Sequence, residues 1–457
     1  MENHEYSVGL DIGTTKIVAI VGRRNDRGKI EVLGVGKAKS LGVHKGIVNN
    51  IAQTISSIKA AVEQAESSAG VSISKVTVGI AGKHIRSLQH SDYIMREHPD
   101  KYITDDDIEA LKDQVRKLVM LPGEEIIHVL PQDYKVDSEG EIQEPIGMHG
   151  KRLEANFHVV VGQMGSIRNI VRCVREAGLD MEALTLEPLA SSESVLTKEE
   201  KEAGVAIVDI GGGTTDIAIF KDNIIRHTCV IPYGGGIITD DIKEGCSIIE
   251  KHAEQLKVKF GSAVPELEKD STYVTIPGLH GRPDKEISLK SLAQIINARI
   301  EEVLEMVNTE LKAYGAFEQK KKLIAGIVLT GGGSNLKHLR QLANYMTGFD
   351  SRIGFSNEYV SNDKSQQLKG PEYATSIGLL MESLKIRDKS EVNYAQEEVV
   401  EVKNIATEVD TTNNVTEKEA EAQVEKQIVE ATKQKGGRLT FGQSILEKVK
   451  KFFEEVE

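Results

Sequence analysis

The stretch that decides the fold is residues 8–21, VGLDIGTTKIVAIV, because residues 205–220, VAIVDIGGGTTDIAIF, repeat its pattern. Each copy consists of an apolar strand, an aspartate, a turn of glycine and threonine, and a second strand rich in Ile, Val and Ala. Glycines let the main chain approach a ligand closely, and threonine hydroxyls and backbone N–H groups can donate hydrogen bonds to phosphate oxygens. One such hairpin is also an ordinary turn, but two related copies about 200 residues apart indicate duplicated lobes that share a phosphate site.

A third glycine cluster lies in residues 325–346, AGIVLTGGGSNLKHLRQLANYM. Its apolar run predicts a strand, and Leu336, Leu339 and Leu342 stand at helical spacing behind the glycines. A helix N-terminus that follows glycines suits the phosphates and sugar of a nucleotide. Neither Asp-Gly-Thr hairpin is a Walker A loop or a GxGxxG sequence before a helix, so P-loop and Rossmann folds are disfavoured.

The order of these three segments resembles the actin, Hsp70 and sugar-kinase superfamily. Residues 184–196, LTLEPLASSESVL, and 371–381, PEYATSIGLLM, are similar to its two connecting helices. The resemblance implies an α/β fold of the actin-like ATPase type, with two duplicated RNase H-like lobes. It also implies ATP and Mg²⁺ as cofactors, with at most slow ATP hydrolysis.

The superfamily resemblance also implies residue roles. Asp11 and Asp209 would face the phosphates and hold Mg²⁺ through its water molecules, a mode that this ion favours. Glu187 would orient the attacking water and, with Asp209, form the catalytic pair. The residues implied for the phosphates are Gly13, Thr14, Thr15, Lys16, Gly212, Gly213, Thr214 and Thr215. The residues implied for the adenosine side are Gly331, Gly332, Gly333 and Ser334.

Residues 252–261, HAEQLKVKFG, are similar to the superfamily helix that contacts ribose and base. Glu254 and Lys257 are the candidate contacts. The alternative for this pair is a solvated i,i+3 salt bridge.

A segment between the first hairpin and the first connecting helix identifies a branch of the superfamily. Thr104 with Asp107 predicts a capped helix start. The apolar positions of that helix are Ile108, Leu111, Val115, Leu118 and Val119. Strand-like runs follow, in EIIHVLPQDYKVD and GMHGKRLEANFHVV. This inserted α+β subdomain, residues 84–161, resembles that of the FtsA family of actin-like bacterial cell-division proteins.

Membership of that branch implies partners. They are the C-terminal tail of the tubulin-like protein FtsZ, further copies of the chain in actin-like filaments, and later division proteins that meet residues 84–161. The helix matching the FtsZ site is residues 291–311, where Arg299 is the candidate receptor for an acidic peptide. The alternative for Arg299 is a solvated surface side chain.

The resemblance and the composition predict the domain boundaries. The first lobe covers residues 1–83 and 162–197, and is interrupted by the insertion. The second lobe covers 198–387 and includes the adenosine-side subdomain. Residues 388–434 are rich in Glu, Asn, Thr and Gln, without Gly or Pro, which predicts a disordered acidic linker. Residues 435–457 are the last segment.

The last segment ends in GRLTFGQSILEKVKKFFEEVE, residues 437–457, and predicts an amphipathic helix that lies on the bilayer, as in the FtsA family. Its apolar stripe consists of Phe441, Ile445, Leu446, Val449, Phe452, Phe453 and Val456. Lys448 and Lys450 flank the stripe, where they can reach lipid headgroups. The alternative is a C-terminal helix packed on the protein's own core.

The composition excludes several classes of protein. The formal net charge is −13, which argues against a nucleic-acid partner. Three cysteines without metal-ligand spacing disfavour a zinc site or a disulfide framework. The start of the chain has no signal-peptide pattern, and no apolar stretch approaches a membrane span. We therefore expect a peripheral protein on the cytoplasmic side of the cell membrane, at the division site. The alternatives are a pilus-assembly actin homologue and a soluble ATP-dependent kinase or hydrolase.

Overall fold

The computed structural model describes residues 6–25, 27–278, 283–356, 360–361 and 368–389. The chain divides into two units, Met1–Leu384 and Lys385–Glu457. The predicted linker beyond residue 389 and the predicted amphipathic helix lie outside the described residues. Within the described part, no helix is long and apolar enough to cross a membrane.

The first lobe is built on a five-stranded sheet in the order β11-β6-β1-β2-β3. Its strands are β1 (Ser7–Ile12), β2 (Lys16–Arg24), β3 (Ile30–Lys39), β6 (Lys75–Ile80) and β11 (Asp180–Leu186). A small hairpin, β4 (Val43–His44) with β5 (Ile47–Val48), and two helices, α1 (Ile51–Ala69) and α3 (Met164–Glu176), complete this lobe. Every residue of β1 is buried, which is typical of a central strand covered on both faces.

The second lobe repeats that sheet in the order β14-β13-β12-β17-β18. Its strands are β12 (Val205–Ile210), β13 (Thr215–Lys221), β14 (Ile224–Ile231), β17 (Ile327–Thr330) and β18 (Ser351–Ile353). In both lobes, an antiparallel three-strand meander is followed by two parallel strands on its inner edge. The shared topology confirms that the two sequence repeats mark duplicated lobes.

The remaining helices cover the second lobe, connect the two sheets and, at the end of the described chain, pack on the sheet of the first lobe. They are α4 (Glu187–Val195), α5 (Lys198–Ala203), α6 (Gly235–Gly245), α7 (Glu250–Phe260), α8 (Leu289–Tyr314), α9 (Leu339–Thr347) and α10 (374–389). A hairpin of β15 (Tyr273–Ile276) and β16 (Lys285–Ser288) precedes α8. Glycine is required where α1 crosses β3, because a Cβ atom on Gly36 would lie 1.8 Å from the carbonyl oxygen of Ala61.

The insertion is an antiparallel sheet in the order β7-β10-β8-β9, with one helix against it. Its elements are β7 (Ile85–Met95), α2 (Asp105–Arg116), β8 (Glu124–Val136), β9 (Glu139–Ile142) and β10 (Arg152–Gln163). The capping box of Thr104 and Asp107 is present, as predicted. Ile108, Leu111 and Val115 enter a separate apolar core together with Phe157.

Two predicted helices have different bounds in the structure. Helix α2 ends at Arg116, and Val119 is 96% exposed, because the backbone turns at Lys117. Behind the third glycine cluster, a 3₁₀ turn (Gly332–Asn335) comes first, and α9 begins only at Leu339. Gly331 and His338 both have positive φ angles, 80° and 62°, which interrupt a continuous helix. The sequence predicted an α-helix that begins directly behind these glycines, and this prediction is wrong.

Candidate nucleotide site

The two hairpin turns and the third glycine cluster line a cleft of about 360 Å³ within the first unit. The predicted residues that line it are Asp11, Gly13, Thr14, Thr15, Lys16, Glu187, Asp209, Gly212, Gly213, Thr214, Glu254, Lys257, Gly331, Gly332 and Gly333. Thr215 and Ser334 are not in the cleft lining. The Thr215 hydroxyl donates to the carbonyl of Tyr233 (2.8 Å) and the Ser334 hydroxyl to that of Gly331 (2.7 Å). Their positions do not support the predicted nucleotide contacts.

The turns of the two hairpins pack directly against each other. A Cβ atom on Gly212 would lie 2.3 Å from Thr15, and one on Gly213 would lie 2.5 Å from the Thr14 hydroxyl. Thr14 also accepts a hydrogen bond from the backbone N–H of Gly46 (3.1 Å). Since a side chain would force the turns apart, the glycines allow both backbones to reach one small ligand group.

Asp209 lies next to the end of β12 and accepts hydrogen bonds from two hydroxyl groups. Its Oδ2 atom accepts hydrogen bonds from Ser191 (2.6 Å) and Thr375 (3.1 Å), which come from α4 and α10. A Cβ atom on Gly331 would lie 2.2 Å from Oδ1 of Asp209, and the φ angle of Gly331 is 80°. The third glycine cluster therefore allows close backbone approach to this carboxylate.

Asp11 and Lys16 form the corresponding part of the first lobe. Asp11 accepts a hydrogen bond from the Ser376 hydroxyl (2.9 Å). The Lys16 ammonium donates to the carbonyl of Glu372 (2.5 Å) and lies 4.4 Å from the ring centroid of Tyr373. Burial lowers the pKa of Lys16 and raises the pKa of Asp11, while attraction between the two opposes both shifts.

Four carboxylates, those of Asp11, Glu187, Asp209 and Asp216, lie close together in the same cleft as Lys16. Burial, and repulsion from Asp11, Asp216 and Asp209, raise the pKa of Glu187 well above its usual value. Burial, followed by repulsion from Asp209, raises the pKa of Asp216 to about 8. Among the described residues, Oδ1 of Asp216 is buried without a hydrogen-bond partner. A cation bound here would relieve this excess of negative charge.

The carboxylate arrangement fits an ion held through water. Among the described residues, no group of three His, Cys, Asp or Glu side chains is placed to hold a metal ion directly. Mg²⁺ commonly keeps several of its waters when it binds phosphate groups and one or two carboxylates. Asp11 and Asp209 are the residues that would face those waters.

On the adenosine side, Glu254 and Lys257 form an ion pair on α7 (2.7 Å). The Lys257 ammonium also donates to the carbonyl of Gly235 (2.6 Å) and to the hydroxyl of Thr239 (2.7 Å). Its side chain is only 13% exposed. The alternative of a solvated surface pair is therefore wrong for Lys257. Its ammonium connects α7 to α6 by hydrogen bonds at the wall of the cleft.

Several further residues line the cleft that the sequence reasoning did not select. They are Lys37, Asp216, Asn335, Glu372 and Thr375. Asp216 carried a usable signal, because a hairpin that pairs Asp209 with Asp216 places both side chains on the same side of the sheet. Lys37, Glu372 and Thr375 reach the site through packing between elements distant in sequence, so no local pattern identifies them.

Arg299 lies on α8, outside the cleft lining. Its guanidinium makes a bidentate contact with Asp241 of α6 (2.6 and 3.0 Å) and a further contact with Glu302. These partners raise the pKa of Arg299, chiefly through the hydrogen bond to Asp241. Arg299 is therefore already paired with two carboxylates, and an acidic peptide must compete with them.

Comparison with known proteins assigns the family. The family model described as "Cell division protein FtsA" matches residues 206–378, and "SHS2 domain inserted in FTSA" matches residues 82–161. A cell division protein FtsA of Pseudomonas aeruginosa is 40% identical over 386 residues, covering 84% of this chain and 91% of the relative. The Escherichia coli K12 protein of that name is 35% identical, with coverages of 82% and 89%.

Among solved structures, a chain of a "PilM-PilN type IV pilus biogenesis complex" has a TM-score of 0.61 and covers 83% of this chain and 98% of its own. At 17% sequence identity, this likeness concerns the fold alone. The duplicated sheets, the inserted subdomain and the family matches confirm the predicted fold of two actin-like lobes with an α+β insertion.

Proposed function

This chain belongs to the FtsA family of cell-division proteins, and on that premise we propose that it binds Mg²⁺ and ATP between its lobes and connects FtsZ filaments to the cytoplasmic membrane. The observation that carries the nucleotide proposal is the cleft itself. Two glycine turns meet there in contact through the Thr14 and Thr15 side chains, beside four carboxylates and the Lys16 ammonium. When bound, ATP and Mg²⁺ supply a phosphoanhydride and the charge that compensates these carboxylates.

The chain's own residues would have different roles at this site. The Lys16 ammonium would donate to phosphate oxygens, and the backbone N–H groups of both turns would bind the same group. Glu187, at the start of α4, would orient a water molecule toward the terminal phosphate. The Val258 and Leu336 side chains line the cleft and offer apolar surface to a purine base. Positioning and charge stabilisation do most of the work in phosphoryl transfer. With one carboxylate to orient the water, we expect at most slow hydrolysis.

Calorimetric titration of the full chain tests the nucleotide proposal. We expect ATP binding in Mg²⁺, and weaker binding in excess EDTA, because the carboxylates then repel the phosphates. AMP serves as the control ligand and should bind far more weakly, since it lacks the groups that meet the two turns. Equal affinity for AMP and ATP, or no binding of either, would contradict the assignment.

The proposed partner is the acidic C-terminal tail of FtsZ, captured near Arg299 on α8. Asp241 and Glu302 neutralise the charge of this arginine. Removing one of these carboxylates should therefore change peptide affinity in the opposite direction to removing Arg299. Arg299→Glu should weaken peptide binding by about tenfold or more, whereas Glu302→Gln should strengthen it. Fluorescence anisotropy with an FtsZ tail peptide measures both. Unchanged affinity in both variants would remove Arg299 from the binding site.

We further propose that residues 437–457 bind the bilayer as an amphipathic helix. Phe452 and Phe453 belong to its apolar stripe, and replacing both by glutamate should abolish sedimentation with liposomes. The melting temperature should stay at the wild-type value if the helix is independent of the core. A lower melting temperature with intact liposome binding would favour the alternative of a helix packed on the protein's own core.

Self-association would reinforce that anchor. Several tails on one filament add avidity, so that a moderate affinity of each helix suffices. We propose that residues 84–161 meet later division proteins at the division site.

Of the alternatives, the pilus-assembly homologue shares the fold at only 17% identity, while the FtsA relatives reach 40%. No feature of the described residues favours a soluble kinase or hydrolase.

A further inference from the structure

One face of strand β8 in the insertion packs on the ATP-binding body. Alternate residues of a strand point to the same side, and His128, Leu130 and Gln132 follow this spacing. His128 contacts Leu186 in the first lobe, and Leu130 packs against a core cluster of the second lobe. Gln132, at a β-bulge, donates to the carbonyl of Ile225 on β14 (2.7 Å). Strand β8 therefore contacts both lobes.

The contact of His128 lies next to the candidate catalytic glutamate. Its Nε2 atom accepts a hydrogen bond from the backbone N–H of Leu186 (3.0 Å). Leu186 is the N-cap residue of α4, and Glu187 is the first residue of that helix. Leu186 also ends β11, where it pairs with Ile80 of β6, and the imidazole binds its backbone N–H at the point where the strand passes into α4.

The ring of His128 is in the right state for that role. Burial lowers the pKa of His128 to about 4, so the ring is neutral at neutral pH. A neutral imidazole has one acceptor nitrogen. Because the Leu186 N–H donates to Nε2, we assign the ring proton to Nδ1.

The Glu187 side chain lies against the backbone of β6. Gly79 on β6 faces it, and a Cβ atom there would lie 3.3 Å from Oε1 of Glu187. The neighbouring residue Thr185 pairs with Gly79 across the sheet. A shift of Leu186 would therefore move the Glu187 carboxylate relative to the phosphate turns.

We propose that His128 is a positioning residue for Glu187, through which the inserted subdomain sets the geometry of the nucleotide site. This inference rests on the proposed ATP function. By thermodynamic linkage, a ligand of the insertion that shifts β8 would change nucleotide affinity, and nucleotide would change the affinity for that ligand by the same factor.

Three variants of the full chain test this role. His128→Leu removes the acceptor at similar volume, and His128→Gln keeps an acceptor near the position of Nε2. The matched control is His158→Leu, because His158 is also buried in the insertion but contacts Thr228 of β14 (2.8 Å). All three proteins are compared at equal distance from their melting temperatures.

The first measurement is hydrogen exchange of the peptide covering residues 184–195, without nucleotide. We expect exchange to be about tenfold faster in His128→Leu, within twofold of the wild type in His158→Leu, and largely restored in His128→Gln. The second measurement is ATP turnover, where His128→Leu should lower kcat about tenfold with little change in KM.

Two results would overturn the proposal. One is an equal response of the His128→Leu and His158→Leu proteins in exchange and turnover, which would indicate general loosening of the insertion. The other is a His128→Gln protein as defective as His128→Leu. If ATP does not bind at all, the proposed function fails, yet the exchange measurement still decides whether His128 holds α4.

Discussion

The hairpins of the two lobes have the same strand pairing but carry different charges. In β1–β2, Asp11 lies opposite Val18, whereas in β12–β13, Asp209 lies opposite Asp216. The first turn, Gly13–Lys16, ends in a cation, whereas the second, Gly211–Thr214, ends in a neutral threonine and has glycines in its middle positions. Duplication therefore conserved the scaffold while the charges diverged.

Asp11 and Asp209 also differ in the hydrogen bonds that they accept. Asp11 accepts one side-chain hydrogen bond, from Ser376, whereas Asp209 accepts two, from Ser191 and Thr375. Both turns and both aspartates face the proposed ligand, but we interpret the first lobe as adding a cation for phosphate and the second as adding negative charge for a hydrated cation. The following predictions test that division, beginning with the largest expected effect.

Replacing Asp209 should have the largest effect on ligand binding. Asp209→Ala removes a carboxylate that would hold the waters of Mg²⁺, so the charge of the triphosphate would be poorly compensated and affinity for Mg·ATP should fall by about a hundredfold or more. Asp11→Ala should cost less, because Asp11 has fewer partners. Calorimetry of both variants measures the difference. A larger loss for Asp11→Ala would reverse the assignment of the two lobes.

Glu187→Gln should separate chemistry from binding. An amide cannot accept a proton or orient water as a carboxylate does, so we expect kcat for ATP hydrolysis to fall by about a hundredfold. Affinity for Mg·ATP should stay within about threefold of the wild type, because the change removes a carboxylate that repels the phosphates. Turnover by phosphate release and calorimetric titration provide the two values. Equal losses in both would assign Glu187 to binding.

Lys16→Met should weaken binding by about tenfold, since charge-assisted hydrogen bonds contribute about 1.5–3 kcal/mol and some of this is spent on desolvation. The loss should be larger for ATP than for ADP if the ammonium contacts the terminal phosphate. Lys29→Met, outside the cleft lining, is the control. Equal losses for the two nucleotides would place the ammonium on a phosphate that they share.

The sequence predicted the parts of this site that are local in the chain. Asp11, Asp209 and the glycine turns follow from a repeated hairpin pattern. The start of α4 at Glu187 follows from the Glu-Pro pair, because proline is favoured in the first helical turn. The helix expected directly behind Gly333 was wrong, since positive φ angles at Gly331 and His338 cannot be recognised from apolar spacing alone.

Long-range contacts account for what the sequence did not predict. Ser191, Thr375 and Ser376 reach the two aspartates from α4 and α10, and their hydroxyls look like ordinary small residues in a packed helix. The paired state of Arg299 was also not predicted, because Asp241 lies 58 positions away on another helix. Such contacts depend on how helices pack over the sheets, which no periodicity specifies.

Asp216→Asn should have the smallest effect, on the pH dependence of stability. In the folded, ligand-free protein, burial and repulsion from Asp209 raise the pKa of Asp216 to about 8, above the ordinary value of 3.8. Between these two values the unfolded chain binds fewer protons than the folded one, so stability falls as pH rises from about 4 to 8. Asparagine removes this contribution. The variant should therefore gain stability relative to the wild type across that window, by at least the ~1.4 kcal/mol of one pKa unit.

Scanning fluorimetry at pH 5.5 and pH 8.0, without nucleotide, measures this gain as a melting temperature that is a few degrees higher for Asp216→Asn at the upper pH. Asp240→Asn, a carboxylate that is 61% exposed on α6, is the matched control and should change neither value. Adding Mg²⁺ and ATP should reverse the order of the two proteins, because a cation favours the ionised carboxylate that only the wild type provides. Parallel pH profiles for variant and wild type, with the same response to Mg²⁺ and ATP, would contradict this prediction. The additional carboxylate of the second hairpin would then have no effect on stability or on cation binding.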